Sequence, residues 1–218
     1  DRITVLHPPS YVARFADAVP PETLAARRAA LGIAPDAPVL LWVGMPGWVK
    51  NVDLLLEAYR HVRAVKPETR LVLAGDFAGR PDFVQQAGPD GVIFAGRVAH
   101  DDLPQFYQMA DLYVHSSRYE GVPRVLSEAL ASGTPVVSTD HLGADAVVCP
   151  GETGLLTDQT PDALAGAILE LLNDPARRQA MGRTGQQDVL VRFDYERQID
   201  AVANTYRRTL EVAGQKGS

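Results

Sequence analysis

Two glutamates, Glu120 and Glu128, stand eight positions apart in "SRYEGVPRVLSEALASGTPVV", the stretch from Ser117 to Val137. Gly121, Val122 and Pro123 follow the first of them and read as a helix entrance, since glycine allows close backbone approach and proline suits a first helical turn. Glu128 lies seven positions after Gly121, close to two turns at about 3.6 residues per turn, so it is expected to project on the same face as that entrance. Val125, Leu126, Ala129 and Leu130 take the buried stripe. Ionised carboxylates only accept hydrogen bonds, and two of them spaced along one face suit the hydroxyls of a sugar and a ribose. The free amides of a helix start attract anions, phosphate above all. Plainer roles stand beside these: Glu120 as a helix-start acid, and Glu128 as an i, i+4 partner of Arg124 worth about 0.3 kcal/mol.

Carboxylates repel a diphosphate, so such a site needs a cation. Lys50 in "GMPGWVKN" is placed to supply one, although a loop lysine by itself is an ordinary solvated residue. Gly44 and Gly47 in that loop form neither the G-x-G-x-x-G dinucleotide fingerprint nor the G-K-[ST] ending of a phosphate loop. The five histidines, at positions 7, 61, 100, 115 and 141, have no metal-ligand spacing, and His115 at a strand end reads as structural. Cys149 is the single cysteine, which excludes a thiolate cluster and an internal disulfide and fits a reducing compartment; cytoplasmic is the expectation. No metal or other cofactor is expected, and no G-x-S-x-G elbow supports hydrolase chemistry.

These residues need a scaffold. Five apolar runs, "PVLLWVG", "RLVLAG", "GVIFAG", "DLYVHS" and "TPVVST", alternate with helical patterns such as "NVDLLLEAYRHVRAV", with a start signal at Asn51 or Asp53, and "DDLPQFYQMA", with aspartates in its first turn. Continuous apolar strands separated by helices predict a doubly wound α/β domain, a Rossmann-like parallel sheet with helices on both faces. "PPETLAARRAALG" adds a helix before the first strand. "PDALAGAILELLN", "PARRQAMGRTGQQDVLVRF" and "DYERQIDAVANTYRRTLEVA" make the C-terminal third mostly helical. Ligands of such sheets bind beyond the carboxyl ends of the strands, which is where "GMPGWVKN", "SSRYEGVP" and "TDHLGADAVVCPGETGLL" fall.

Hydrophobic residues make up 46% and charged residues 22%, the balance of a globular domain. A formal charge of −6 argues against nucleic acid as a partner. No apolar run reaches the roughly 20 residues a membrane span requires. The chain opens without Met on "DRITVLHPPS" and is expected to be a piece of something longer.

The ordered segments resemble the C-terminal domain of a GT-B fold glycosyltransferase of the retaining family 4 (group 1). "SRYEGVPRVLSEALASGTPVV" resembles that family's E-x7-E region, "LLWVGMPGWVKNVDLLLEAY" its first donor-domain strand and phosphate loop, "FAGRVAHDDLPQFYQMADLYVHSS" its third strand through its fourth, and "GADAVVCPGETGLLT" its fifth-strand loop. The resemblance implies transfer of a sugar from a nucleoside-diphosphate sugar without a metal. By it, Glu120 and Lys50 are the catalytic pair, Glu120 on the transferred sugar and Lys50 on phosphate oxygens. Amides around Gly121, Val122 and Pro123 face the diphosphate, Glu128 binds ribose hydroxyls, Gly44 and Met45 belong to the phosphate loop, and Arg97 and Val98 lie against the base. Met45 departs from the family, many of whose members carry an arginine there; Arg118 and Arg124 are the candidates to replace it. Ala146 stands where a glutamate is frequent, and no role is transferred to it.

The same resemblance divides the chain into an interdomain linker (1–18), a Rossmann-like core (19–192), a last helix (193–213) and a frayed tail (214–218). By it an N-terminal acceptor domain is expected to lie outside this chain, and this half is expected to bind donor and to turn over little alone. No transmembrane segment is expected, and that other half is where peripheral membrane contact could arise. Two alternatives remain open: a non-catalytic nucleotide-binding or partner-binding module of the same fold, and an unrelated α/β domain such as a dehydrogenase or epimerase half.

Overall fold

The computed structural model describes residues 11–87 and 91–215; the expectations for residues 1–10 of the linker and 216–218 of the tail lie outside them. In chain order the elements are α1 (Ala13–Ala16), α2 (Pro21–Ala30), β1 (Val39–Val43), α3 (Val52–Val65), β2 (Arg70–Ala74), α4 (Pro81–Ala87) and β3 (Val92–Gly96). A short 3-10 turn (His100–Asp102) leads into α5 (Leu103–Met109), followed by β4 (Leu112–His115), α6 (Arg124–Ala131), β5 (Val136–Thr139) and β6 (Gly154–Thr157). Three helices close the chain: α7 (Pro161–Asn173), α8 (Pro175–Arg192) and α9 (Tyr195–Gln215).

The six strands form one parallel sheet in the order β3-β2-β1-β4-β5-β6. Five of them are the five apolar runs. The sixth, β6, corrects the sequence reading, which took "GLLT" for part of a loop: two leucines bounded by glycine and threonine are too few to announce a strand, and pairing with β5 supplies what the local pattern lacks. As an edge strand β6 is only half-buried, and so is β3 at the other edge.

Alternation along the central strands builds two cores. Val39, Leu41 and Val43 of β1 face α1, α2, α5, α6 and α8, whereas Leu40 and Trp42 face α3, α4 and α7. A strand buried on both faces must be apolar at every position, and all five residues of β1 are buried. Residues 11–17, expected within a linker, join the first core through Val12 and Phe15, each 2% exposed.

From β1 the chain winds outward through β2 to β3, then returns to lay β4 on the other side of β1, with Leu40 paired to Leu112 and Leu41 to Tyr113. Strand order therefore reverses between β1 and β4, and the loops leaving their carboxyl ends diverge around a crevice. Those are the loops of Lys50 and Glu120. Among the described residues no helix is long and apolar enough to cross a membrane.

Candidate functional site

The loop after β1 turns tightly, with the amides of Lys50 and Asn51 both donating to the Gly47 carbonyl at 3.0 and 3.2 Å. Asn51 sits at the start of α3 in the left-handed region, φ 48°, and caps nothing with its side chain. The expected start signal is redirected: Asn51 Oδ1 accepts a 2.8 Å hydrogen bond from Arg118 Nη2, from the loop after β4. Arg118 also gives its backbone amide to the Val49 carbonyl at 2.8 Å and its Nε to the Trp48 carbonyl at 3.2 Å. Ser116 Oγ donates to the Lys50 carbonyl at 2.8 Å. The two loops are thus one hydrogen-bonded unit, rimmed by exposed Trp48 and Tyr119 with ring centroids 6.0 Å apart.

Within that unit Glu120 Oε1 accepts from Lys50 Nζ at 2.7 Å and from Ser117 Oγ at 2.6 Å. His115 Nε2 lies 3.1 Å from the same oxygen, close but off the line of a hydrogen bond. Burial works to raise the carboxyl pKa, yet the contacts from His115, Lys50 and Ser117 outweigh it and hold Glu120 well below the ordinary carboxylate range. Burial pushes His115 the other way, below its usual value and against the pull of Glu120, so the ring is neutral at pH 7. His115 is buried at the carboxyl end of β4, and its structural role consists of walling the carboxylate of Glu120.

The backbone carrying Glu120 is clamped from the next loop. Thr139 Oγ1 donates to the Ser117 carbonyl at 2.7 Å. Gly143, at φ 97°, packs so closely that a Cβ there would stand 1.7 Å from the Gly121 carbonyl oxygen. Gly75 does the same for the other loop, where a Cβ would stand 1.9 Å from the Gly44 carbonyl oxygen.

Glu128 is 6% exposed, because α6 is enclosed nearly all round; only Arg124 and Val125 at its first turn reach the surface. Among the described residues no ion pair joins it to Arg124. Its Oε2 accepts from the Tyr107 hydroxyl at 3.1 Å, and its Oε1 faces His100 Nε2 at 3.3 Å. Burial, and after it the negative charge of Glu128, pushes the Tyr107 hydroxyl well above its usual pKa, so it stays a donor.

Glu120 and Glu128 line one crevice of about 360 Å³ together with Lys50, His100, Val122 and Arg124, floored by Val43, Leu103 and Val125. No side chain caps α6, which leaves its first turn to an anion. Val43 and Leu103 also wall a neighbouring compartment of about 170 Å³, bounded by Gly44, Met45, Ala74, Gly75, Asp76, Arg97 and Val98. The structure therefore gathers Lys50, Glu120, Val122 and Glu128 on one side of a shared wall and Gly44, Met45, Arg97 and Val98 on the other. Gly121 and Pro123 line neither compartment; Pro123 is buried as the residue before α6, and its carbonyl accepts the Leu126 amide at 3.1 Å. Of the two arginines considered as substitutes at Met45, Arg118 is engaged with Asn51 and Trp48, whereas Arg124 lines the crevice.

Sequence reasoning missed Ser117, Tyr107 and His100 as site residues. Ser117 carried a usable signal, a hydroxyl three positions before Glu120 on a loop between strand and helix. Tyr107 and His100 carried none, since they reach Glu128 from 21 and 28 positions away. Among the described residues no three His, Cys, Asp or Glu side chains gather as a metal ion requires.

A parallel sheet whose strand order reverses beside the crevice of the two carboxylates defines a Rossmann-like α/β domain. The family described as "Glycosyl transferases group 1" matches residues 25–188, and the chain belongs to it. D-inositol 3-phosphate glycosyltransferase of Kineococcus radiotolerans is 34% identical, an alignment that takes in 100% of this chain and 54% of that protein. HepE of Anabaena, solved in complex with UDP and glucose, superposes with a TM-score of 0.82 at 26% identity over 94% of this chain and 57% of that one. The C-terminal domain of LpcC, a group 1 glycosyl transferase of Francisella tularensis, shares the fold with a TM-score of 0.68 at 22% identity, over 82% of this chain and 95% of that one. The fold is that of the GT-B glycosyltransferases, and the chain corresponds to their C-terminal domain. It spans about half the length of the curated relatives it matches.

Proposed function

We propose that this chain is the donor-binding half of a retaining glycosyltransferase that moves a sugar from a nucleoside-diphosphate sugar to an acceptor. One observation carries the reading: Glu120 and Glu128 open into a single crevice at the uncapped start of α6, with Lys50 held against the first. The diphosphate lies at the first turn of α6, where Lys50, Arg124 and the helix amides meet its charge without a metal ion. Glu120 takes hydroxyls of the transferred sugar and Glu128 those of the ribose. The base occupies the compartment of Arg97 and Val98 across the wall formed by Val43 and Leu103.

As the bond from the anomeric carbon to the diphosphate breaks, negative charge grows on the leaving oxygen. Lys50 and the helix start are in place before it does, the preorganisation that makes such groups effective. The acceptor is held by the other half of the enzyme, so this half alone binds donor and transfers little. The single cysteine suits cytoplasmic surroundings. A UDP complex of a relative at 26% identity supports a nucleotide ligand.

Titration calorimetry with the UDP, GDP and ADP sugars tests the reading. One of them binds, and Glu128→Ala weakens it at least about tenfold, as loss of a hydrogen bond to a charged group does. Absence of binding at millimolar ligand, or a Glu128→Ala variant that binds like its parent, overturns it. The second reading, a nucleotide-binding module without transfer chemistry, is favoured by Met45, neutral and 66% exposed at the rim. A large affinity gain on Met45→Arg would support a site that has lost a cation; no gain supports Arg124 as the one in use.

A further inference from the structure

The carboxylate of Glu128 has two oxygens and two unlike keepers. Tyr107, fully buried, donates to Oε2 from the floor of the domain. Opposite Oε1 stands His100, whose side chain is half exposed and lines the crevice. At 3.3 Å from the carboxylate, the ring donates to Oε1 in the tautomer that carries its hydrogen on Nε2. The position of His100 is itself built. Phe15 and the ring pack in a T-shaped pair, centroids 5.4 Å apart and planes at 84°, and Arg14 of α1 pairs with Asp101 to tie the 3-10 turn down.

One hydrogen bond does not orient a carboxylate, because the terminal torsion of glutamate is broad and the group can swing about the bond that Tyr107 leaves free. A second donor, on the other oxygen, fixes the plane. Each carboxylate oxygen accepts more than one hydrogen bond, so Oε1 can hold His100 with one lone pair and present the other to the crevice.

We propose that His100 is a positioning residue: by holding Oε1 of Glu128 turned into the crevice, it sets the discrimination between ribonucleoside and deoxyribonucleoside diphosphates. The inference rests on Glu128 being the acceptor for ribose hydroxyls. A preorganised carboxylate rewards a hydroxyl that meets it, whereas one that rotates freely must be ordered during binding and returns much of that gain. His100 thereby acts on the ligand through Glu128 rather than on the reacting sugar.

The test measures the affinities of the chain for UDP, GDP and ADP, takes the best of them, and compares it with its 2′-deoxy and 3′-deoxy forms. The parent favours the ribonucleotide by about tenfold or more, the scale of a hydrogen bond to a charged acceptor. His100→Ala reduces that preference to within about threefold, because the acceptor remains but is no longer oriented. His100→Gln, whose amide can still donate to Oε1, keeps most of the preference. Thermal unfolding of each variant reports folding separately, and a merely structural role would move that readout and leave the ratio alone. Full preference in His100→Ala, together with its loss in Glu128→Gln, overturns the role of His100 and leaves Glu128 standing. Undiminished preference in Glu128→Gln, or none in the parent, removes the ribose reading of Glu128 itself.

Discussion

The two carboxylates of the crevice are held by opposite means. Glu120 stands on a loop, and two donors, Lys50 and Ser117, converge on one of its oxygens, which the ring of His115 walls at 3.1 Å. Glu128 stands on a helix enclosed by the core, and its two oxygens are divided between one buried hydroxyl and one half-exposed imidazole. A loop has no intrinsic rigidity, so the fold ties it down from three neighbours. A helix is rigid already, and only the last torsion of its side chain needs fixing. Redundant donors make the Glu120 pole tolerant of losing any one side-chain partner, whereas the Glu128 pole depends on each of two.

Substitutions probe that contrast. Gly143→Ala strikes the backbone that supports the Glu120 loop, where the added carbon meets the Gly121 carbonyl. We expect a loss of about 2–4 kcal/mol, read as a fall of roughly 4–16 °C in Tm for a domain of this size, together with weakened nucleotide binding. An unchanged Tm would show that the loop yields easily. At the other pole Tyr107→Phe strands a buried carboxylate oxygen and costs about 1–3 kcal/mol in urea unfolding, against under about 1 kcal/mol for Ser117→Ala, where Lys50 remains. Equal costs would erase the asymmetry.

Lys50 and Glu120 are each about one-fifth exposed, and a double-mutant cycle with Lys50→Met and Glu120→Gln is expected to return a coupling of about 0.5–1 kcal/mol that shrinks with salt. The least effect concerns pH. Burial lowers the pKa of His115 from the ordinary 6.5, so as pH falls the unfolded chain binds the proton first. The contribution of the neutral ring is complete above 6.5 and is lost below it. Between about pH 8 and about pH 5 the parent therefore loses stability more steeply than His115→Gln; parallel curves would contradict the burial assigned to His115.

Much of the scaffold was readable before any coordinates. Strands β1, β2, β4 and β5 were recognisable because burial on both faces demands unbroken apolar runs, half-buried β3 by its run "GVIFAG", and α7 by the pattern "PDALAGAILELLN"; in the structure Thr160 caps α7, accepting from the Ala163 amide at 3.3 Å ahead of Pro161. Edge strand β6 escaped because partnership with β5, not composition, makes it a strand. Helix α1 escaped because four residues carry no period. Asn51 looked like a helix cap and became a bracket between two loops, a choice made by Arg118 from 67 positions away.

The same division runs through the site. Sequence alone determined that Glu128 lies in the helix that Glu120 precedes, since helical patterning is local, and that a glycine-bearing loop with Lys50 follows the first strand; the shared crevice of the two carboxylates belongs to the tertiary structure. Which donor took which oxygen was decided by the order β3-β2-β1-β4, which carries Lys50 to Glu120 across 70 positions and Tyr107 and His100 to Glu128 across 21 and 28. A hydrogen bond needs its partners within about 3 Å, and no local rule brings residues so distant in sequence that close; the packing of the chain around the sheet does.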